Sequence, residues 1–171
     1  MFLTGAAVKG EETVNSVPGA DAPLISVDKE GNWFYQGQPI INRQICLLFS
    51  QSLEQDSCGR YILRIGEETC PVDVEDTPFV VVDVAKAFGE EPEKSRFIIR
   101  LNDETEEILD LDTLSVARDN VLYCRVKGGK FKARFLRPSY YRLAEHIVQE
   151  GDDCFYIPLN GRKHYINFTK P

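Results

Sequence analysis

The chain has 171 residues, 43% of them hydrophobic and 27% charged, so it can bury a core without disulfide or metal staples. Its formal net charge of −7 argues against generic nucleic-acid binding, which favours basic proteins. Five widely spaced cysteines (Cys46, Cys58, Cys70, Cys124 and Cys154) form no CxxC pair, which excludes a zinc ribbon or thioredoxin-type motif and predicts reduced thiols.

Residues 1–22, with "GEETVNSVPGADAP", are small, polar and turn-rich and read as a disordered tail. The start lacks the basic end and apolar run of a signal peptide. No window approaches the ~18 apolar residues of a membrane span, so a cytoplasmic protein is expected. An N-terminal half over residues 23–112 then opens with the strands "LISVD" and "NWFYQ". Pro39 suits the first turn of a helix, "IINRQICLLFSQSL", with Ile41, Ile45, Leu48 and Phe49 on one face. Arg43 is its single charge, which predicts burial on more than one side, with Ile45, Leu48 and Phe49 deep. The strands "RYILRI" and "CPVDVE" follow, with Asp73 and Glu75 facing solvent; Asp76 sets a turn before Thr77-Pro78.

A strand-rich insert completes this half: "FVVVDVAKAF", "RFIIRL" and the shorter "EEILDLD". Asp83 shares a face with Phe79 and Val81, so a structural ion pair with Arg96 or Arg100 is expected ahead of a catalytic acid.

The C-terminal half, residues 113–171, reads as the strands "VLYCRVK" and "KFKARFL" around Gly128-Gly129, then the helix "SYYRLAEHIVQE" after Pro138. Two strands, "CFYIPL" and "KHYINF", close it around Asn160-Gly161, a strong hairpin-turn pair. Pro39 and Pro138 lie 99 positions apart, as do Arg43 and Arg142. The expected fold is therefore α+β: two similar hairpin–helix–hairpin halves with antiparallel sheets and a strand-rich insert.

The runs "WFYQGQPI", "LLFS", "VEDTPFVVVDV", "VKGG" and "RPSYYRL", in that order, resemble the bacterial family Domain of Unknown Function 1285 from about Ile25 to Leu159. The resemblance implies a two-part α+β fold with a repeated motif, and a role in signal transduction or small-ligand binding. It brings no catalytic residues.

Phosphate-loop, dinucleotide, nucleophile-elbow and metalloprotease motifs are absent. Of the two histidines, His146 falls on a polar helix face and His164 has no nearby candidate ligand, so neither a metal nor a cofactor is expected. The distinctive stretch is "VKGGKFKARFLRPSYYR", with six cations and no acid. A two-residue turn at Gly128-Gly129 sets Lys127 opposite Lys130, Arg125 opposite Lys132 and Tyr123 opposite Arg134. Like charges opposite each other cost ~0.2–1 kcal/mol per pair and require a counterpart. The chain's own acids in "NDETEE", an anionic small molecule, and an acidic protein or, against the net charge, a nucleic acid all qualify. The candidate site is Lys127, Lys130, Lys132, Arg134, Arg137 and Tyr140, with the helix start after Pro138 and Tyr141 assisting. The expected role is a binding or regulatory protein for an anionic ligand or partner. The alternatives are an enzyme on a small phosphorylated or carboxylated substrate, and an interaction module using the first helix.

Overall fold

The computed structural model describes residues 23–91 and 94–168; the tail expected over residues 1–22 lies outside them. The chain opens with β1 (Ile25–Val27) and β2 (Trp33–Tyr35). At Gly31 in their turn φ is +83°, and a Cβ there would lie 2.7 Å from the Asn102 amide nitrogen, so conformation and space both demand glycine. Pro39 lies in the edge strand β3 (Gln38–Pro39), where a missing N–H is tolerated, and not in a helix as expected. Helix α1 (Arg43–Gln51) starts later because Asn42 caps it: its Oδ1 accepts from the amides of Gln44 and Ile45 at 3.0 and 3.3 Å.

Three antiparallel strands follow, β4 (Leu53–Gln55), β5 (Tyr61–Ile65) and β6 (Glu68–Val74). β6 returns parallel to β1, giving the order β3-β2-β1-β6-β5-β4. The insert comprises β7 (Phe79–Ala87), β8 (Arg96–Leu101) and β9 (Glu106–Ile108). Then come β10 (Ser115–Val116), β11 (Leu122–Val126), β12 (Phe131–Phe135) and helix α2 (Arg137–Ala144). The chain continues through β13 (Val148–Glu150), β14 (Cys154–Leu159), β15 (Arg162–Tyr165) and β16 (Asn167–Phe168).

The insert is hydrogen-bonded into the sheet of the second half, in the order β16-β10-β11-β12-β7-β8-β9. β7 runs parallel to β12, and Phe79, Val80 and Val81 are all buried, as a strand covered on both faces requires. β13, β14 and β15 make a separate antiparallel sheet. The class is α+β. The sheets are not uniformly antiparallel, because β1–β6, β7–β12 and β10–β16 pair in parallel across long connections.

Hairpin, helix and three-stranded meander occur in the same order on both sides of the insert. The pairings differ: β6 pairs directly with β1, whereas the second meander stands apart and only β16 reaches the large sheet. Pro39 lies in a strand and Pro138 in the first turn of α2, so the two prolines are not equivalent in place. The second helix is also shorter than its sequence suggests. The carbonyls of Leu143 and Ala144 accept from the amides of His146 and Ile147, tightening the last turn, and Val148–Glu150 extends into a strand.

Buried residues of both large sheets join one core, from Trp33 and Leu63 through Phe79, Phe97 and Ile99 to Leu143 and Ile157. α1 departs most from expectation. Ile45 is 39% exposed and Leu48 47%, while Phe49 is only half-buried against Trp33, 5.4 Å between ring centroids. The buried residue of this helix is Ser50, whose Oγ accepts from the Trp33 indole at 3.3 Å. A helix poor in charge need not be enclosed, since Gln44, Gln51 and Ser52 supply uncharged polarity at its ends. Among the described residues, no helix is long and apolar enough to cross a membrane.

These burials separate two leucines. Leu143→Ala, at a fully buried position, is expected to cost about 2–5 kcal/mol in urea unfolding. Leu48→Ala, on the open face of α1, should cost less than about 1 kcal/mol. Equal costs would place α1 inside the core.

Candidate functional site

The β11–β12 hairpin has the expected ladder: Tyr123 faces Arg134, Cys124 faces Ala133, Arg125 faces Lys132 and Val126 faces Phe131. The turn does not. It spans residues 127–130, with φ of +55° at Lys127, +67° at Gly128 and +83° at Gly129. Lys127 therefore leaves the ladder, and its expected opposition to Lys130 does not arise. The Arg125–Lys132 opposition stands.

Most of the cations find counterparts within the chain. The Lys127 ammonium lies 2.7 Å from Asp103 Oδ2, 2.6 Å from Thr105 Oγ1 and 5.2 Å from the Phe79 ring centroid. Its amide donates to the Glu107 carboxylate at 2.9 Å. Asp103 is only 5% exposed, and its Oδ1 also accepts from the Thr105 amide and hydroxyl, so its charge is satisfied on each side. Lys132 sits 3.7 Å over the Tyr123 ring, a cation–π contact. Arg134 donates to Asp76 Oδ2 at 2.9 Å, and Tyr123 donates its hydroxyl to the same carboxylate at 2.9 Å. Burial, then the Asp76 hydrogen bond and charge, push the Tyr123 phenol up to about 12. Asp76, expected only to set a turn, is thus the hub of a polar cluster. Nothing in its sequence neighbourhood signals this, because its partners come from β11 and β12.

Lys130 stays exposed at the hairpin tip, beside Leu53, Glu54 and Gln55. Arg137 is exposed at the start of α2 and has no ion pair among the described residues. That start has no side-chain cap, leaving helix-end N–H groups to other partners. Tyr140 is half-buried, 5.6 Å from Tyr141 in an edge-to-face pair. Arg134, Arg137, Tyr140 and Tyr141 line one cavity of about 540 Å³ together with Asp119 and Asn120. Three of the six expected residues meet there, while Lys127, Lys130 and Lys132 lie elsewhere on the hairpin. Asp119 and Asn120, at φ +65° and +57°, were not among the expected residues.

Other chemically suggestive groups are engaged in structural contacts. Asp83 pairs with Arg142 and, at 3.6 Å, with Arg100; the Arg100 pairing was expected and the Arg142 pairing was not. His146 packs edge-on against Phe97 at 5.0 Å instead of facing only solvent. His164 Nδ1 lies 2.8 Å from Asp112, a partner 52 positions away that local sequence hides. Burial pushes the Cys124 thiol up to about 12, which removes its thiolate at neutral pH. A cleft of about 850 Å³ is lined by Trp33, Ile40 and Asn102 among others. Of its charged residues, Arg100 pairs with Asp83 and Glu104 with Arg43, while Glu30 has no ion pair among the described residues. No group of three or more His, Cys, Asp or Glu side chains suited to a metal occurs among the described residues.

No family model and no curated protein matches the chain. Two solved structures do. A DUF1285 family protein from Silicibacter pomeroyi DSS-3 is 26% identical with a TM-score of 0.69, over 85% of this chain and 80% of that one. A DUF1285 family protein from Shewanella baltica OS155 is 23% identical with a TM-score of 0.59, over 72% of this chain and 91% of that one.

Lys127→Met strands the buried Asp103 carboxylate and is expected to cost about 1.5–3 kcal/mol in urea unfolding. Lys130→Met should stay within about 0.5 kcal/mol. The Tyr123 pKa is raised on folding, so its stabilising contribution is complete below the ordinary tyrosine value of 10.0 and is lost as pH rises towards about 12. Ultraviolet titration should show one tyrosine ionising near 12, and Asp76→Asn should lower that midpoint without bringing it fully to the ordinary value. An unmoved midpoint would detach Asp76 from Tyr123.

Proposed function

The chain is DUF1285-like, and from that premise we propose a non-catalytic binding protein that recognises the anionic group of a small ligand in the groove at the start of α2. The observation carrying this reading is Arg137: it lines a cavity of ligand size together with Arg134, Tyr140 and Tyr141, and has no ion pair among the described residues. The uncapped helix start adds positive potential at the same place. Lys127, Lys132 and Arg134 act chiefly on the fold, since each already has a partner. In this reading the protein works in the cytoplasm as a regulatory or signalling module. We also propose that the two hairpin–helix–meander units are copies of one motif; the shared order of elements supports this.

A second reading is an interaction module docking a protein partner on α1. The specific observation is an open apolar face: Ile41 is 93% exposed, with Ile45 and Leu48 beside it.

A thermal-shift screen of anionic metabolites and nucleotides tests the first reading. Saturation at ~100 times the dissociation constant is expected to add roughly 2.7 kcal/mol of stability. The gain should shrink with salt, because exposed charges are screened within ~8–10 Å. Arg137→Gln should abolish it and Lys130→Gln should leave it unchanged. A ligand whose effect survives Arg137→Gln would move the site away from α2.

A further inference from the structure

We infer that the ligand of the α2 groove is a zwitterion with an apolar arm, a free α-amino acid with a large aliphatic or aromatic side chain. This rests on the reading of that groove as a ligand site and adds the chemical class.

The first observation is the sign of the charges left at the groove. Arg134 is held by Asp76, so the formal charges facing the cavity without an ion pair among the described residues are Arg137 and Asp119. They are opposite. A simple anion drawn to Arg137 would also meet the Asp119 carboxylate of the same cavity, whereas a molecule carrying both charges satisfies both groups. The second observation is a neighbouring cavity of about 360 Å³ that shares Asn120, Leu122 and Tyr140 with the groove. No charged residue lines it, and its walls are mainly apolar, including Ala144, Ile147, Phe155 and Ile166. A molecule spanning both cavities must be charged at one end and apolar at the other.

An amino acid fits this division. Its carboxylate pairs with Arg137, which offers parallel N–H donors suited to that group. Its ammonium pairs with Asp119, with the Asn120 amide oxygen available as a further acceptor. Its side chain passes between Leu122 and Tyr140 into the apolar cavity.

Calorimetric titration of the full chain with L-leucine, glycine, N-acetyl-L-leucine and L-leucinamide tests each contact. L-Leucine should bind at least about 30-fold more tightly than glycine, since each methylene removed from water is worth roughly fourfold. N-acetyl-L-leucine, which lacks the ammonium, and L-leucinamide, which lacks the carboxylate, should each bind at least about tenfold more weakly than L-leucine. Asp119→Asn should erase the preference over N-acetyl-L-leucine; asparagine tolerates the left-handed backbone there, so the fold is kept. Arg137→Gln, at an exposed position, should erase the preference over L-leucinamide. Ala144→Leu, or Ala144→Phe where the first fills too little, should erase the preference over glycine. Equal binding of N-acetyl-L-leucine and L-leucine would overturn the zwitterion and leave the anion reading standing. Equal binding of L-leucinamide would overturn both. Equal binding of glycine, or no binding of L-leucine, would overturn the inference, while Arg137-dependent hits in the anion screen would still support the broader reading.

Discussion

The carbonyl of Val81 sets the geometry on which the second half depends. It accepts from the Leu136 amide at 3.1 Å and from the buried Ser139 hydroxyl at 2.6 Å. Carbonyls alternate along a strand, so the Val80 carbonyl accepts from the Asn102 amide on the β8 side and the Val81 carbonyl faces β12 and α2; just beyond, β7 bulges against β8, leaving Val82 as the extra residue between the Val81–Leu101 and Asp83–Arg100 pairs. The two bonds pin the first turn of α2 to the strand, and the rest follows from helix geometry. Arg137 projects at the open end, Tyr140 stands between two cavities, Leu143 enters the core, and Arg142 reaches Asp83 beyond the bulge. Ser139 is fully buried, and its hydroxyl has two carbonyl acceptors within reach, Val81 at 2.6 Å and Leu136 at 2.8 Å, so it needs no water.

Cation density on β11 and β12 is resolved by acids delivered from elsewhere in the chain. Asp103 and Glu107 come from the β8–β9 turn and strand, and Asp76 from the segment before β7. Each meets its partner where exposure is low, so screening by solvent is weaker than at a surface pair. The same contacts hold the hairpin against the insert. Lys127 and Arg134 thus become structural, while Lys130 at the tip and Arg137 at the start of α2 keep charge to spare.

The joint between the first and second sheets is polar and tight. Asn102 donates to the Gly31 carbonyl at 3.1 Å, accepts from the Val80 amide at 3.0 Å, and its own amide donates to the Val80 carbonyl. Glycine at 31 permits that approach. Arg43, from α1, reaches Glu104 in the next turn, so both helices place an arginine on the insert.

Much of the secondary structure was legible in the sequence because it rests on local rules. Alternating runs became β5, β8, β11 and β12, and the hairpin turn at Asn160-Gly161 needed only residues that accept positive φ, whereas the turn at Gly128-Gly129 widened to take in Lys127. The ladder of β11 and β12 was likewise readable, since register follows from the turn and the apolar alternation. The two-residue strands β3 and β10 were hidden, because they exist only through their pairing partners, and the expected strand "KHYINF" divides into β15 and β16, which pair in different sheets. The depth of α1 was misjudged for a related reason: a helix's own residues say which face is apolar, and only its neighbours decide whether that face is covered. Of the candidate site, the sequence determined that cations cluster between Val121 and Arg142 and that Tyr140 and Tyr141 stand beside them. Tertiary structure alone decided which of those charges are cancelled. A salt bridge depends on distance in space, and Asp76 and Asp103 approach Arg134 and Lys127 from 58 and 24 positions away along the chain.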